Sequence, residues 1–213
     1  MGSSFNRVLF DRCPIVGILR SFPRDQLEQM VIAVTEVGVI NLEITLNSLG
    51  AEDLIRLTRD RVGDQGNVGA GTILNLFDLD RALEAGASFI VTPTLNPEVL
   101  RACAMSGVPV MSGALSPGEI VTAWELGADW VKVFPANLGG PAQIRAIKAP
   151  FPDIRLMPTG GVTVETLPAF LKAGADAFGV GSPLFDSRQA AASNWDWFRK
   201  QAQRFVAAFQ SAV

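Results

Sequence analysis

Histidine is absent from the 213 residues, and so is tyrosine. The first absence excludes a Ser-His-Asp or Cys-His arrangement and every histidine-ligated metal site. With both missing, acid–base work near neutral pH falls to carboxylates, lysine, cysteine or water. Cysteine is scarce. Cys13 and Cys103 have no metal-ligand spacing and no basic neighbour to activate them, so they read as packing residues in a reduced, cytoplasmic setting. Charge is sparse too, at 18% of residues with a net charge of -3 and no basic cluster, which argues against nucleic acid as a partner. No long apolar run opens the chain. Met1 to Arg7 with Asp11 and Arg12 behind them reads as neither a signal peptide nor a membrane span.

What is present is a recurring unit. A helical stretch ends in glycine and an apolar run follows one or two residues later, as in Val37-Gly38-Val39-Ile40, Ala85-Gly86-Ala87-Ser88-Phe89, Ser106-Gly107-Val108, Leu126-Gly127-Ala128-Asp129-Trp130 and Ala173-Gly174-Ala175. Glycine is the residue that closes a helix in the left-handed conformation, so the beat means helix, cap, strand. Eight candidate strands result, over 14–20, 40–47, 67–72, 89–94, 108–114, 130–136, 155–161 and 177–183. Asn96 and Ser116 are candidate N-caps, and Pro23, Pro97, Pro117 and Pro141 sit near helix openings. Eight strand–helix units favour an α/β fold of one closed (β/α)8 (TIM) barrel over residues 1–213, with an extra N-terminal helix over 4–12 and a C-terminal helix over 194–212. A doubly wound open sheet is the competing architecture, but no Gly-x-Gly-x-x-Gly follows the first strand.

Lys132 stands out among only four lysines, because it lies in the apolar run Trp130-Val131-Lys132-Val133-Phe134-Pro135-Ala136. Burial lowers a lysine's pKa, and a neutral amine is a nucleophile towards carbonyl carbon. A lysine near a strand end whose head reaches water fits the segment as well. In the second strand, alternation sends Leu42, Ile44 and Leu46 towards the helices and Glu43, Thr45 and Asn47 into the barrel. In the sixth it sends Lys132 and Phe134 inwards, so Glu43 and Lys132 can share one cavity. An ion pair of Glu43 with Lys132 or Arg20 is the structural alternative. A nucleophilic amine beside a proton-shuttling carboxylate is what Schiff-base chemistry on a keto acid requires.

Gly160-Gly161 closes the seventh strand and Gly179-Val180-Gly181-Ser182 the eighth, the positions where barrels of this kind often hold phosphate on exposed backbone N–H groups. Tight turns explain either cluster alone. Arg20 ends the first strand, where it serves an anion or merely meets solvent. Gly69-Ala70-Gly71-Thr72 leaves room in the barrel and offers a hydroxyl, and Pro93 shapes the wall beside it. Phe134 packs over a pyruvyl group or fills core. The apolar residues of the last helix, from Trp195 to Phe209, suit core or subunit contact.

Five ordered segments then resemble one family: Leu42-Glu43-Ile44-Thr45-Leu46, Gly69-Ala70-Gly71-Thr72, Val91-Thr92-Pro93, Lys132-Val133-Phe134-Pro135-Ala136 and Pro158-Thr159-Gly160-Gly161-Val162. They are similar to the 2-keto-3-deoxy-6-phosphogluconate (KDPG) and 4-hydroxy-2-oxoglutarate (KHG) aldolases of class I. That likeness implies a metal-free, cofactor-free homotrimeric barrel cleaving a 2-keto-4-hydroxy acid to pyruvate and an aldehyde. It implies Lys132 as Schiff-base lysine and Glu43 as acid–base carboxylate. Thr72, Pro93 and Phe134 would line the keto-acid pocket, and Thr159, Gly160, Gly161 and Ser182 the phosphate end. The expected substrate is KDPG, giving pyruvate and glyceraldehyde 3-phosphate, with 2-keto-3-deoxy-6-phosphogalactonate or KHG as the alternatives. Asn47-Ser48 replaces the arginine that the gluconate branch typically carries after Thr-Leu. With Ile18-Leu19-Arg20 it looks closer to the 2-keto-3-deoxy-6-phosphogalactonate branch, whereas Pro158-Thr159-Gly160-Gly161 looks like the gluconate branch. A phosphosugar isomerase or synthase, or a non-catalytic phosphometabolite-binding barrel, are the competing functions.

Overall fold

A computed structural model describes residues 4–212. Eight parallel strands form one sheet: β1 (Ile15–Leu19), β2 (Asn41–Thr45), β3 (Asn67–Gly71), β4 (Ile90–Val91), β5 (Val110–Ala114), β6 (Trp130–Val133), β7 (Leu156–Pro158) and β8 (Phe178–Val180). Their order runs β7-β6-β5-β4-β3-β2-β1-β8, and a parallel bridge between Thr159 and Gly179 joins the two ends into a nearly closed (β/α)8 barrel. Helices α1 (Arg7–Arg12), α2 (Arg24–Thr35), α3 (Ala51–Val62), α4 (Leu76–Glu84), α5 (Pro97–Ser106), α6 (Pro117–Glu125), α7 (Gly140–Lys148), α8 (Leu167–Lys172), α9 (Ser187–Ala191) and α10 (Trp195–Gln210) complete it. α1 and α10 are the extra terminal helices, each shorter than the sequence suggests. Asn6 caps Leu9 N–H and starts α1 late, and Ser211 and Ala212 leave α10 in a turn.

Local chemistry sets the boundaries. Asn96 caps Glu98 and Val99, and Ser116 with Glu119 forms a reciprocal capping box, each ahead of a proline in the first helical turn. The glycines at 38, 86, 107, 127 and 174 all hold positive φ, where any other residue is strained.

Two apolar layers flank the sheet. Leu42, Ile44, Val131 and Val133 pack outwards against the helices, as alternation requires. Inside the barrel, Val16, Phe89, Val91, Met111, Trp130, Met157 and Ala177 fill the lower end, and Phe10 of α1 with Phe5 closes it from below. The Phe10 and Trp130 rings lie 4.4 Å apart. Each fully buried side chain of this size contributes about 1.5–3 kcal/mol. This plug fills the end of the barrel opposite the strands' C-terminal ends. Among the described residues no helix is long and apolar enough to cross a membrane.

Candidate active site

Strand register brings the two ionisable residues to the upper barrel. Glu43 pairs with Ile18 and Gly69, and Lys132 pairs with Gly113 and Met157. Both are buried, at 1% and 5% exposure. Room for the carboxylate comes from β3: a β-carbon on Gly71 would collide with Glu43 Oε1, and one on Gly69 would collide with Phe89. Glycine at 71 thus acts by omission.

Among the described residues, Glu43 makes no ion pair with Lys132 or Arg20, and its Oε2 has no hydrogen-bond partner. Opposite charges beyond contact attract by about 3 kcal/mol at a protein's effective dielectric. That is less than the several kcal/mol each ion loses on desolvation. Burial therefore dominates. It pulls Lys132 below the ordinary lysine value, with the Glu43 charge opposing and the Arg20 charge adding to the fall. Burial likewise raises Glu43 above the usual carboxylate range, with Lys132 and Arg20 pulling the other way. The amine is shifted towards its neutral, nucleophilic form, and the acid is shifted towards holding a proton.

A cavity of about 470 Å³ opens beside this pair. It gathers Arg20, Phe134, Thr159, Gly160, Gly161 and Ser182. Glu43 and Lys132 are not among its lining residues. Phe134 connects the two regions, since it lines the cavity and its ring centroid is 5.6 Å from Lys132 Nζ. Thr159 Oγ1 is buried and has no hydrogen-bond partner among the described residues. Gly160 and Gly161 hold φ of +90° and +77°. Among the described residues, none accepts a hydrogen bond from the backbone N–H groups of Gly161, Gly181 or Ser182. Three lining residues with unclaimed donors suit a polyoxygen anion.

Other residues of the expected set stand elsewhere. Thr72 follows β3 at φ 60°, a costly conformation for a β-branched residue, and does not line the cavity. Pro93 follows β4, where its backbone abuts Gly113. Asn47 is a correction to the inward-facing expectation. β2 ends at Thr45, Leu46 N–H bonds the Gly71 carbonyl, and the chain then turns, leaving Asn47 exposed. It lines a separate cavity with Ser21, Arg24 and Leu49.

Sequence reasoning missed Ile18, Phe22, Phe185 and Asp186 in the main cavity. Asp186 was findable as an N-cap: it accepts from the N–H groups of Arg188 and Gln189. The Arg188 guanidinium, bonded to it at 2.9 Å, holds its carboxyl down to about 2.

A match to the KDPG and KHG aldolase family model spans residues 8–200. The chain belongs to the KDPG and KHG aldolase family. Its members are lyases that cleave carbon–carbon bonds, and so is this aldolase. It is 36% identical to the 2-dehydro-3-deoxy-6-phosphogalactonate aldolase of Escherichia coli (strain K12), over 95% of this chain and 97% of the relative. It is 42% identical to the 2-dehydro-3-deoxy-phosphogluconate aldolase of Pseudomonas aeruginosa, over 67% of this chain and 64% of the relative. Among solved structures, the aldolase is similar to the KDPG aldolase of Legionella pneumophila with pyruvate captured as a covalent carbinolamine. That likeness has a TM-score of 0.84 and 25% identity, covering 92% of this chain and 95% of that one.

Proposed function

We propose that this aldolase cleaves a 6-phosphorylated 2-keto-3-deoxy-hexonate, KDPG, into pyruvate and glyceraldehyde 3-phosphate through a Schiff base on Lys132. The observation that carries the reading is the buried pair with oppositely displaced pKa values beside an anion-suited cavity. Neutral Lys132 Nζ attacks the C2 carbonyl, and the carbinolamine hydroxyl takes the proton held by Glu43 and leaves as water, giving an iminium and the Glu43 carboxylate. The C3–C4 bond then breaks. Its electrons flow into the iminium to form an enamine, while the C4 hydroxyl proton passes to Glu43, directly or through water. Glu43 returns a proton to C3, and hydrolysis frees pyruvate and the amine. The captured carbinolamine of the Legionella pneumophila relative supports this chemistry. Phe134 covers the pyruvyl half. The phosphate lies against Gly160, Gly161 and Ser182, and Arg20 supplies charge.

The galactonate epimer is the second reading, favoured by the Escherichia coli relative matched over nearly its whole length. The epimers differ at one hydroxyl, and the unpartnered Thr159 hydroxyl is a group able to read it. Pyruvate release from both epimers and from 4-hydroxy-2-oxoglutarate, coupled to lactate dehydrogenase and run side by side, tests the assignment. A kcat/KM for KDPG above the other two supports the first reading, and galactonate preference replaces it with the second. No pyruvate from any of the three contradicts both.

The homotrimer belongs to the same proposal. Leu49, Leu74 and Phe77 stand exposed on or just after the loops that follow β2 and β3, as a subunit contact requires. Sedimentation at a monomer mass contradicts it. Free, buried Cys13 and Cys103 suit a reducing cytoplasm.

A further inference from the structure

Arg20 is held by its neighbours through an arrangement the catalytic reading does not use. Ser21, the next residue, has φ 58°, a left-handed conformation that a serine keeps only when its surroundings enforce it. The enforcing contact comes from the loop after β2: Ser21 N–H donates to Ser48 Oγ at 2.9 Å. Ser48 Oγ lies 3.1 Å from Thr45 Oγ1, and Thr45 Oγ1 in turn donates, over a longer 3.5 Å, to the Leu19 carbonyl. The donors run in one direction, from Ser21 N–H through two hydroxyls to Leu19 O. The chain thus bonds the peptide group on each side of Arg20. Thr45 and Ser48 are buried, so water does not compete for these bonds. Thr45 also lies two residues beyond Glu43 on the same face of β2.

We propose that Thr45 and Ser48 are positioning residues whose linked hydroxyls clamp the backbone around Arg20 and thereby aim its guanidinium at an anionic oxygen group of the bound substrate. This rests on the aldolase reading above. A carboxylate and a phosphate share the chemistry that would meet the guanidinium. The charge of Arg20 also reaches Lys132 and Glu43, so its placement bears on both reacting groups.

The test is the condensation reaction, with KM measured separately for pyruvate, which carries only the carboxylate, and for glyceraldehyde 3-phosphate, which carries only the phosphate. Ser48→Ala should raise one of these KM values about five- to tenfold while kcat stays within about twofold, the size expected for one weakened charged contact. The affected partner names the anion. Ser48→Thr should restore it. In an Arg20→Ala background, Ser48→Ala should add nothing, because the clamp acts only through that side chain. Thr45→Val breaks the same chain isosterically from its other end and decides the matter if Ser48→Ala fails to fold. Unchanged KM values in the folded variants, or a Ser48→Ala effect that adds in full to Arg20→Ala, overturns the clamp. Borohydride labelling of wild-type Lys132 with pyruvate separates the two levels. Labelling with an unaffected Ser48→Ala sinks only the clamp, whereas no labelling sinks the aldolase chemistry and the clamp with it.

Discussion

The carboxylate of Glu43 fills the space that a β-carbon on Gly71 would occupy. Two neighbouring strands thus share one pocket of volume, and the acid's position depends on a residue that has no functional group.

Gly71→Ala should therefore act like a mutation of Glu43 itself. The methyl group must expel the carboxylate, and loss of a positioned acid–base group costs about 10²–10⁴-fold in kcat. Coupled pyruvate release and a thermal melt check this together. A folded Gly71→Ala enzyme with wild-type kcat would remove Glu43 from the proton-transfer role.

Lys132→Met should stabilise the protein while abolishing turnover. A buried amine without an ion-pair partner among the described residues destabilises the fold, and an apolar side chain of similar length relieves about 1–3 kcal/mol near neutral pH. The sign of the pH dependence follows from the lowered pKa. Between that lowered value and the ordinary 10.5, the unfolded chain holds a proton that the folded chain does not. Wild type therefore gains stability as pH rises through this window, and the advantage of Lys132→Met is full below it and vanishes above it. Denaturant melts of both proteins across neutral and alkaline pH measure the difference. A constant advantage at every pH contradicts a titrating lysine.

Thr159→Val separates recognition from stability. Its hydroxyl has no partner among the described residues, so the folded state loses no hydrogen bond and the melting temperature should hold or rise. If that hydroxyl reads the substrate, the kcat/KM ratio between the two phosphorylated epimers should change about tenfold or more. An unchanged ratio assigns discrimination to another group.

Much of this was legible in the sequence, and for definite reasons. Helix-closing glycines and capped helix starts encode the eight-unit alternation locally, so every strand was placed. Period-two alternation set Glu43 and Lys132 on inward faces, because that rule depends only on the strand. It failed two residues past the strand's end, where Asn47 turns outwards after Leu46 bonds Gly71. The lack of an ion pair between Glu43 and Lys132 was not readable. It depends on distances across the barrel that the chain order does not encode. Phe185 and Asp186 stand just before α9, a five-residue helix with too little periodicity to declare itself, so the capping signal of Asp186 was the one cue to them.

The central claim is the covalent chemistry of one amine. Incubation with pyruvate and borohydride, followed by peptide mass mapping, tests it directly. The account predicts one reduced pyruvyl adduct, on Lys132 and absent from Lys132→Ala. Aldol cleavage at the wild-type rate by Lys132→Ala, or an adduct confined to Lys148, Lys172 or Lys200, would contradict it.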